Sequence, residues 1–175
     1  MCIRDSTWKE RGLTQSEKRN IPENLTHVDH GFRCTGGGIV FHCPNDIVWS
    51  YGVPIINKNP SPKDVMATLK NHFQSTFEHF GIHTTAKITK STPDITFCAS
   101  YDNPYELVIN ETKIFGLALK KTATYILVQG VLHVAKTAVH FNDIHSIYKQ
   151  YFTKGIPQLN EPTIYDAFKR KLTEF

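Results

Sequence analysis

The chain has 175 residues, a mass of 20.0 kDa and a formal net charge of +4, with 40% hydrophobic and 21% charged residues. That size and balance fit one soluble domain with a true core and exclude wholesale disorder. No apolar run reaches the roughly 18 residues of a bilayer span, and no basic stripe interleaved with aromatics points to nucleic acid.

The first six residues, MCIRDS, have neither a hydrophobic core nor targeting logic. They read as translation of a transposon-derived sequencing adapter. The expectation is therefore a scar at 1–6 and a single domain over 7–175, clipped at its N-terminus, whose natural chain begins further upstream. From Thr7 to His30 the chain is polar, with helix formers at Gln15 to Arg19 ahead of Pro22, which predicts a short helix or an irregular lead-in. IVFHC and IVWSYGV, rich in β-branched and aromatic residues, flank the turn-like Pro44–Asp46, and a hairpin is expected there. Pro62 and Asp64 open a helix in which Val65, Leu69, Phe73, Phe77 and Phe80 recur near helical spacing, and Gly81 closes it.

TAKIT (85–89) reads as a short strand and STPD (91–94) as a turn. Cys98 is expected at a strand end or in the loop that follows. YELVIN and KIFGLAL form a second hairpin across ETK, and ATYILVQGVLHVA is a long β-rich stretch. Phe141 to Phe152 reads as an amphipathic helix with Ile144, Ile147, Tyr148 and Tyr151 on one face. A last helix runs from Thr163 and carries the short basic cluster Lys169–Lys171, either a solvated face or a dock for an acidic partner. Strands clustered between helices make the fold α+β, with a mixed, largely antiparallel sheet.

Chemistry concentrates at few positions. The triplet Gly36–Gly38 requires a close approach to the backbone but lacks the spacing of standard nucleotide loops. Arg33 beside bare amides makes a site for a carboxylate or phosphate, and His42 follows on the next strand. Cys98 is either a small buried hydrophobe or a thiol nucleophile, and Lys113 either an exposed turn lysine or a fixed cation for an oxyanion. The four cysteines, Cys2, Cys34, Cys43 and Cys98, show no CxxC and no zinc spacing, so neither a disulfide framework nor a metal site is expected, and a reducing cytosol suits them.

Three ordered stretches, RCTGGGIVFH, CASYDNPYELVINETKIFGLAL and YILVQG, resemble the biotin/lipoate protein ligase and octanoyltransferase superfamily, over about residues 31–152. Arg33, Thr35, Gly36, Gly37, Gly38, Val40 and His42 match its first motif. Tyr105, Glu106, Leu107, Val108, Lys113, Ile114, Gly116 and Ala118 match the second, and Gln129–Gly130 the third. The resemblance implies a cytoplasmic, monomeric domain that moves an octanoyl or lipoyl group onto a lysine of a lipoyl-carrier domain. Cys98 would be the acyl acceptor from an acyl-carrier-protein thioester, with no cofactor required, and Lys113 would lower the thiol pKa and stabilise the oxyanion. Arg33, Thr35, Gly36, Gly37, Gly38, His42, Gly116, Gln129 and Gly130 would line the acyl and substrate pocket. Two further readings are a lipoate–protein ligase using ATP and Mg²⁺, and a non-catalytic acyl- or carrier-binding member. The chain departs from the family pattern at Phe32, at Leu117 and Leu119, at Cys43–Pro44, in its Val128–Gln129 pair, and at His133, which is extra.

Overall fold

The computed structural model describes all residues except 1, 18, 57–59, 87–95, 101–102, 145 and 175, with the backbone alone at 2–6, 100 and 173. Along the chain lie β1 (Cys2–Thr7), β2 (Gly12–Ser16), β3 (His30–Arg33), β4 (Val40–His42), β5 (Ile47–Pro54) and α1 (Pro62–His79). They are followed by β6 (Leu107–Ile109), β7 (Thr112–Lys121), β8 (Tyr125–Leu132), α2 (Thr137–His140) and α3 (Pro162–Thr173). Short 3₁₀ turns stand at Glu23–Leu25, Cys98–Ser100, Ser146–Tyr151 and Pro157–Asn160.

Two sheets result. An antiparallel sheet has the order β1-β5-β8-β7-β6, and a mixed one has the order β3-β2-β4, with β2 parallel to β3 and antiparallel to β4. The period-2 alternation of a strand decides what each face does. In β5, Ile47, Trp49 and Tyr51 point to one side, where they join Leu117, Val128 and Leu132 against Leu69, Phe73 and Phe77 of α1 and Phe168 of α3. Burying each such side chain contributes about 1.5–3 kcal/mol. A separate core under the small sheet joins Leu13, Leu25, Phe41, Phe97, Phe141 and Tyr148.

Helix α1 begins and ends where the sequence places it, α3 begins one residue ahead of the expected Thr163, and Gly81 follows α1 at φ +70°. The hairpin β6–β7 turns through Asn110 (φ 47°) and Glu111 (φ 62°), so its loop is two residues long and Lys113 lies inside the strand. Three other expectations are corrected. The lead-in forms the central strand β2, where pairing on both sides and a buried Gln15 and Ser16 override the local helix preference. IVFHC and IVWSYGV do not pair with each other. Asn45 at φ 70° turns a corner that sends β4 into the small sheet and β5 into the large one.

The helix expected over 141–152 is a four-residue α2 that ends earlier and a 3₁₀ turn, with Ile144 and Tyr148 buried and Ile147 exposed. Asn142, Asp143 and Ser146 are residues that favour local turns over helix interiors. Of the strand at 85–89, Thr85 and Ala86 are described, and Thr85 bridges Val108; the turn at 91–94 lies outside the described residues. The backbone of 2–6, within the 1–6 set aside in the sequence reading, runs on into Thr7 as β1 and pairs residue for residue with β5, from Cys2↔Gly52 to Thr7↔Ile47.

Candidate active site

The face of the large sheet opposite α1 floors a cavity of about 520 Å³, roofed by the small sheet. Cross-strand register aligns its floor: Val48 pairs with Val131 and Val131 with Gly116, while Ser50 pairs with Gln129 and Gln129 with Ala118. Small residues at Ser50, Gly116 and Ala118 leave the volume open. Trp8, Thr14, Arg33, Gly37, His42 and Cys98 close the other side. The Leu117 and Leu119 side chains pack in or against the α1 core, and Leu117 also borders the cavity.

Arg33, at the end of β3, holds the glycine loop in shape. Its Nη2 donates to the carbonyls of Gly36 (3.1 Å) and Gly38 (2.5 Å), and Gly37 between them takes φ +97°, open to glycine and strained for other residues. Its Nη1 donates to Thr14 Oγ1 at 3.2 Å. Arg33 is a donor only, so the Thr14 hydroxyl accepts there and directs its own proton to His42 Nε2 at 2.7 Å. His42 is stacked on Trp8 with centroids 4.2 Å apart, and its Nδ1 is buried without a partner among the described residues. Burial above all, with the Arg33 guanidinium acting in the same direction, holds its pKa well below the usual imidazole value, and it is a neutral ring. Thr35 stands behind the wall and donates to Gln129 Oε1 at 3.0 Å.

Cys98 enters this site because its segment runs beside the glycine loop. Ile39 bridges Phe97 in parallel, with Ile39 N–H on Thr96 O (2.7 Å) and Cys98 N–H on Ile39 O (2.9 Å). Lys113 arrives by a bulge. Leu107 pairs with Phe115 and Val108 with Lys113, which leaves Ile114 extra; Ile114 and Phe115 both enter the core, and Lys113 turns to the side of Gly116. Its Nζ lies 2.6 Å from Glu106 Oε2 and donates to Cys98 O at 2.5 Å, all at a buried position. A methyl built on Gly116 would stand 3.7 Å from Cys98 Sγ, 3.8 Å from Glu106 Oε1 and 4.0 Å from Lys113 Cδ, so these three groups converge there.

Lys113 and Arg33 pull the Cys98 pKa down, but burial is the largest influence and Glu106 adds to it, so the thiol is raised above its usual value. Lys113 acts on the thiol in the expected direction, and burial outweighs it. Cys43, by contrast, is fully buried and its thiol is pushed up to about 12 by burial and Asp46, which leaves it inert.

Of the residues singled out in the sequence, Arg33, Gly37, His42, Cys98, Gly116, Gln129 and Gly130 line the large cavity. Thr35, Gly36 and Gly38 support it from behind, and Lys113 sits beside Cys98, outside the large cavity's wall. Gly130 serves packing as much as pocket, because Trp49 occupies the space its side chain would fill. Trp8, Thr14 and Ser50 were missed; nothing in their local sequence marks them. Glu106 lay within a matched motif, one residue after Tyr105, and its partner became visible only through the bulge.

This architecture is that of lipoate-ligase catalytic domains. A lipoate-protein ligase A bound with ATP superposes with a TM-score of 0.72 at 14% identity, covering 98% of this chain and 71% of that one. Ta0514 from T. acidophilum, a candidate lipoate protein ligase with bound lipoic acid, gives 0.73 at 14%, with the same coverage. A bi-partite lipoate protein ligase from Thermoplasma acidophilum, studied with its E2 lipoyl domain, gives 0.65 at 13%, covering 98% and 69%. No curated protein matches the chain by sequence. The lipoyl protein ligase A/B catalytic domain matches residues 3–164, and the chain belongs to that family. Among the described residues no helix is long and apolar enough to cross a membrane.

Proposed function

We propose that the chain transfers an octanoyl- or lipoyl-type acyl group to a lysine of a lipoyl-carrier domain through a thioester on Cys98. The observation that carries this reading is the position of Cys98, between the glycine loop and the floor of a cavity whose volume lies in the range of small-molecule sites. In the first half-reaction the Cys98 sulfur attacks the carbonyl of an acyl-carrier thioester and the carrier thiol leaves with the proton. In the second, the acceptor lysine amine attacks the Cys98 thioester, an amide forms and the thiol is regenerated. Val48, Val131 and Ala118 accommodate the acyl chain. Lys113 fixes the Cys98 backbone and sets a positive charge beside the sulfur, which favours the oxyanion. An acyl-carrier protein as donor and a lipoyl domain as acceptor, the latter like the one studied with the archaeal relative, are the partners this chemistry needs.

The ATP-dependent reading needs cations for a triphosphate and carboxylates for Mg²⁺. Among the described residues of the cavity wall Arg33 is the one formally charged side chain, and its guanidinium grips the glycine-loop carbonyls. That favours a thioester donor over an adenylate. The test is intact-mass analysis after incubation with octanoyl-acyl-carrier protein. One octanoyl increment is expected, absent in Cys98→Ser. A Cys98→Ser variant that stays fully active, with turnover that demands ATP, overturns the proposal.

A further inference from the structure

A second, small cavity of about 20 Å³ adjoins the large one and shares Val40, Cys98, Gly116 and Val131 with it. Its side chains with polar groups are Cys98, Lys113, His133, Tyr151 and Thr153. A space of that size holds one water, and a buried water requires two to four polar partners, which these groups supply.

His133, the histidine that the family pattern lacks, follows β8 and is held at its backbone by N–H donation to Ile114 O (2.8 Å). Its Nδ1 lies 3.1 Å from Asp46 Oδ2. Asp46 is completely buried and anchored: Oδ2 also accepts from the Cys43 N–H (3.0 Å), and Oδ1 from those of Val134 (2.9 Å) and Ala135 (3.4 Å). A carboxylate fixed in this way makes Nδ1 the protonated nitrogen and leaves Nε2 as an acceptor for the small cavity. The charged and titratable groups facing the Cys98 sulfur are Lys113, Glu106 and Arg33, and those facing His133 are Asp46, His42 and, around the small cavity, Lys113, Cys98 and Tyr151. Of the groups near the sulfur, Glu106 is the one that accepts protons, and its Oε2 is held in the ion pair with Lys113 (2.6 Å); His133, on the small cavity, offers an acceptor outside that pair.

We propose that Asp46 and His133 form the proton acceptor for Cys98, working through a single water in the small cavity. The proposal rests on the thioester reading above. The Cys98 S–H proton passes to the water as a water proton passes to His133 Nε2; the sulfur bonds to the acyl carbonyl, the carrier C–S bond breaks, and the carrier sulfur leaves with the proton returned from His133. Asp46 holds the ring and balances its charge meanwhile.

The test measures iodoacetamide alkylation at Cys98 by peptide mass, in the wild type and in His133→Asn. The asparagine amide retains the hydrogen bond to Asp46 and removes the Nε2 acceptor, so the melting temperature is expected to hold. A thiol without a base reacts about tenfold faster per pH unit below its own titration, and the wild type is expected to rise less steeply than that. The variant regains the full tenfold slope and reacts about 100-fold more slowly at pH 7. Equal rates in the two proteins overturn the relay, and so does a wild-type rate that climbs at the full tenfold per pH unit, a measurement that stands even where the variant unfolds. Octanoyl-acyl-carrier protein separates this from the functional reading. Equal acylation of both proteins retains the transferase and discards the relay. Base-dependent alkylation without any acylation retains the relay and discards the donor.

Discussion

Replacing Gly130 by alanine would put a methyl carbon 2.1 Å from Trp49 Cζ2, 2.4 Å from Trp49 Cε2 and 2.7 Å from the Gly116 carbonyl oxygen. Carbon atoms in contact normally stand about 3.5–4.0 Å apart, so something must move. Trp49 is held by its neighbours: its ring lies 5.0 Å from that of Phe73 and is stacked on Phe115 at 5.8 Å and 7°. The third obstacle is sheet backbone. The cost therefore falls at the upper end of overpacking, about 3 kcal/mol. At roughly 2–4 °C per kcal/mol for a chain of this length, the melting temperature drops by about 6–12 °C, read by circular dichroism.

Gly116→Ala, on the adjoining strand β7, is the control. Its methyl meets Cys98 Sγ at 3.7 Å, an ordinary contact, so the melting temperature shifts by less than about 2 °C while alkylation of Cys98 by a bulky maleimide slows. Trp49→Leu in the Gly130→Ala background makes room for the methyl and couples with it by about 1 kcal/mol or more. A Gly130→Ala protein that melts within 2 °C of the wild type refutes the packing argument (~2 °C being the surface-substitution scale).

Three other outcomes follow from the site. Glu106→Gln leaves Lys113 buried without its counter-charge and costs about 3–5 kcal/mol in urea unfolding, and it also speeds Cys98 alkylation at fixed pH, because Glu106 is one of the groups that raise the thiol pKa. His42 is neutral in the folded protein and takes a proton only on unfolding, so the unfolded state binds more protons as pH falls below about 6.5 and stability declines from there toward pH 5, by up to ~1.4 kcal/mol per unit; His42→Asn flattens that slope in urea midpoints. Arg33→Lys removes the fork that grips two carbonyls, and amide exchange at Gly36–Ile39 accelerates while the β5–β8 amides remain protected.

What the sequence determined by itself was local. Proline and glycine bounded α1, the spacing of Leu69, Phe73 and Phe77 named its buried face, a hairpin across ETK joined β6 to β7, and the glycine triplet marked a wall of the cavity. Each is an effect of neighbours a few positions apart, governed by dihedral preference and periodicity. Only the tertiary structure decided that polar Gly12–Ser16 is a central strand, and that the corner at Asn45 divides β4 and β5 between two sheets. A single extra residue, Ile114, brings Lys113 to Cys98, and Asp46 and His133 meet across 87 positions of chain. Those facts depend on register and on packing between distant segments, where one inserted residue reverses the face on which a side chain stands and no local pattern records it.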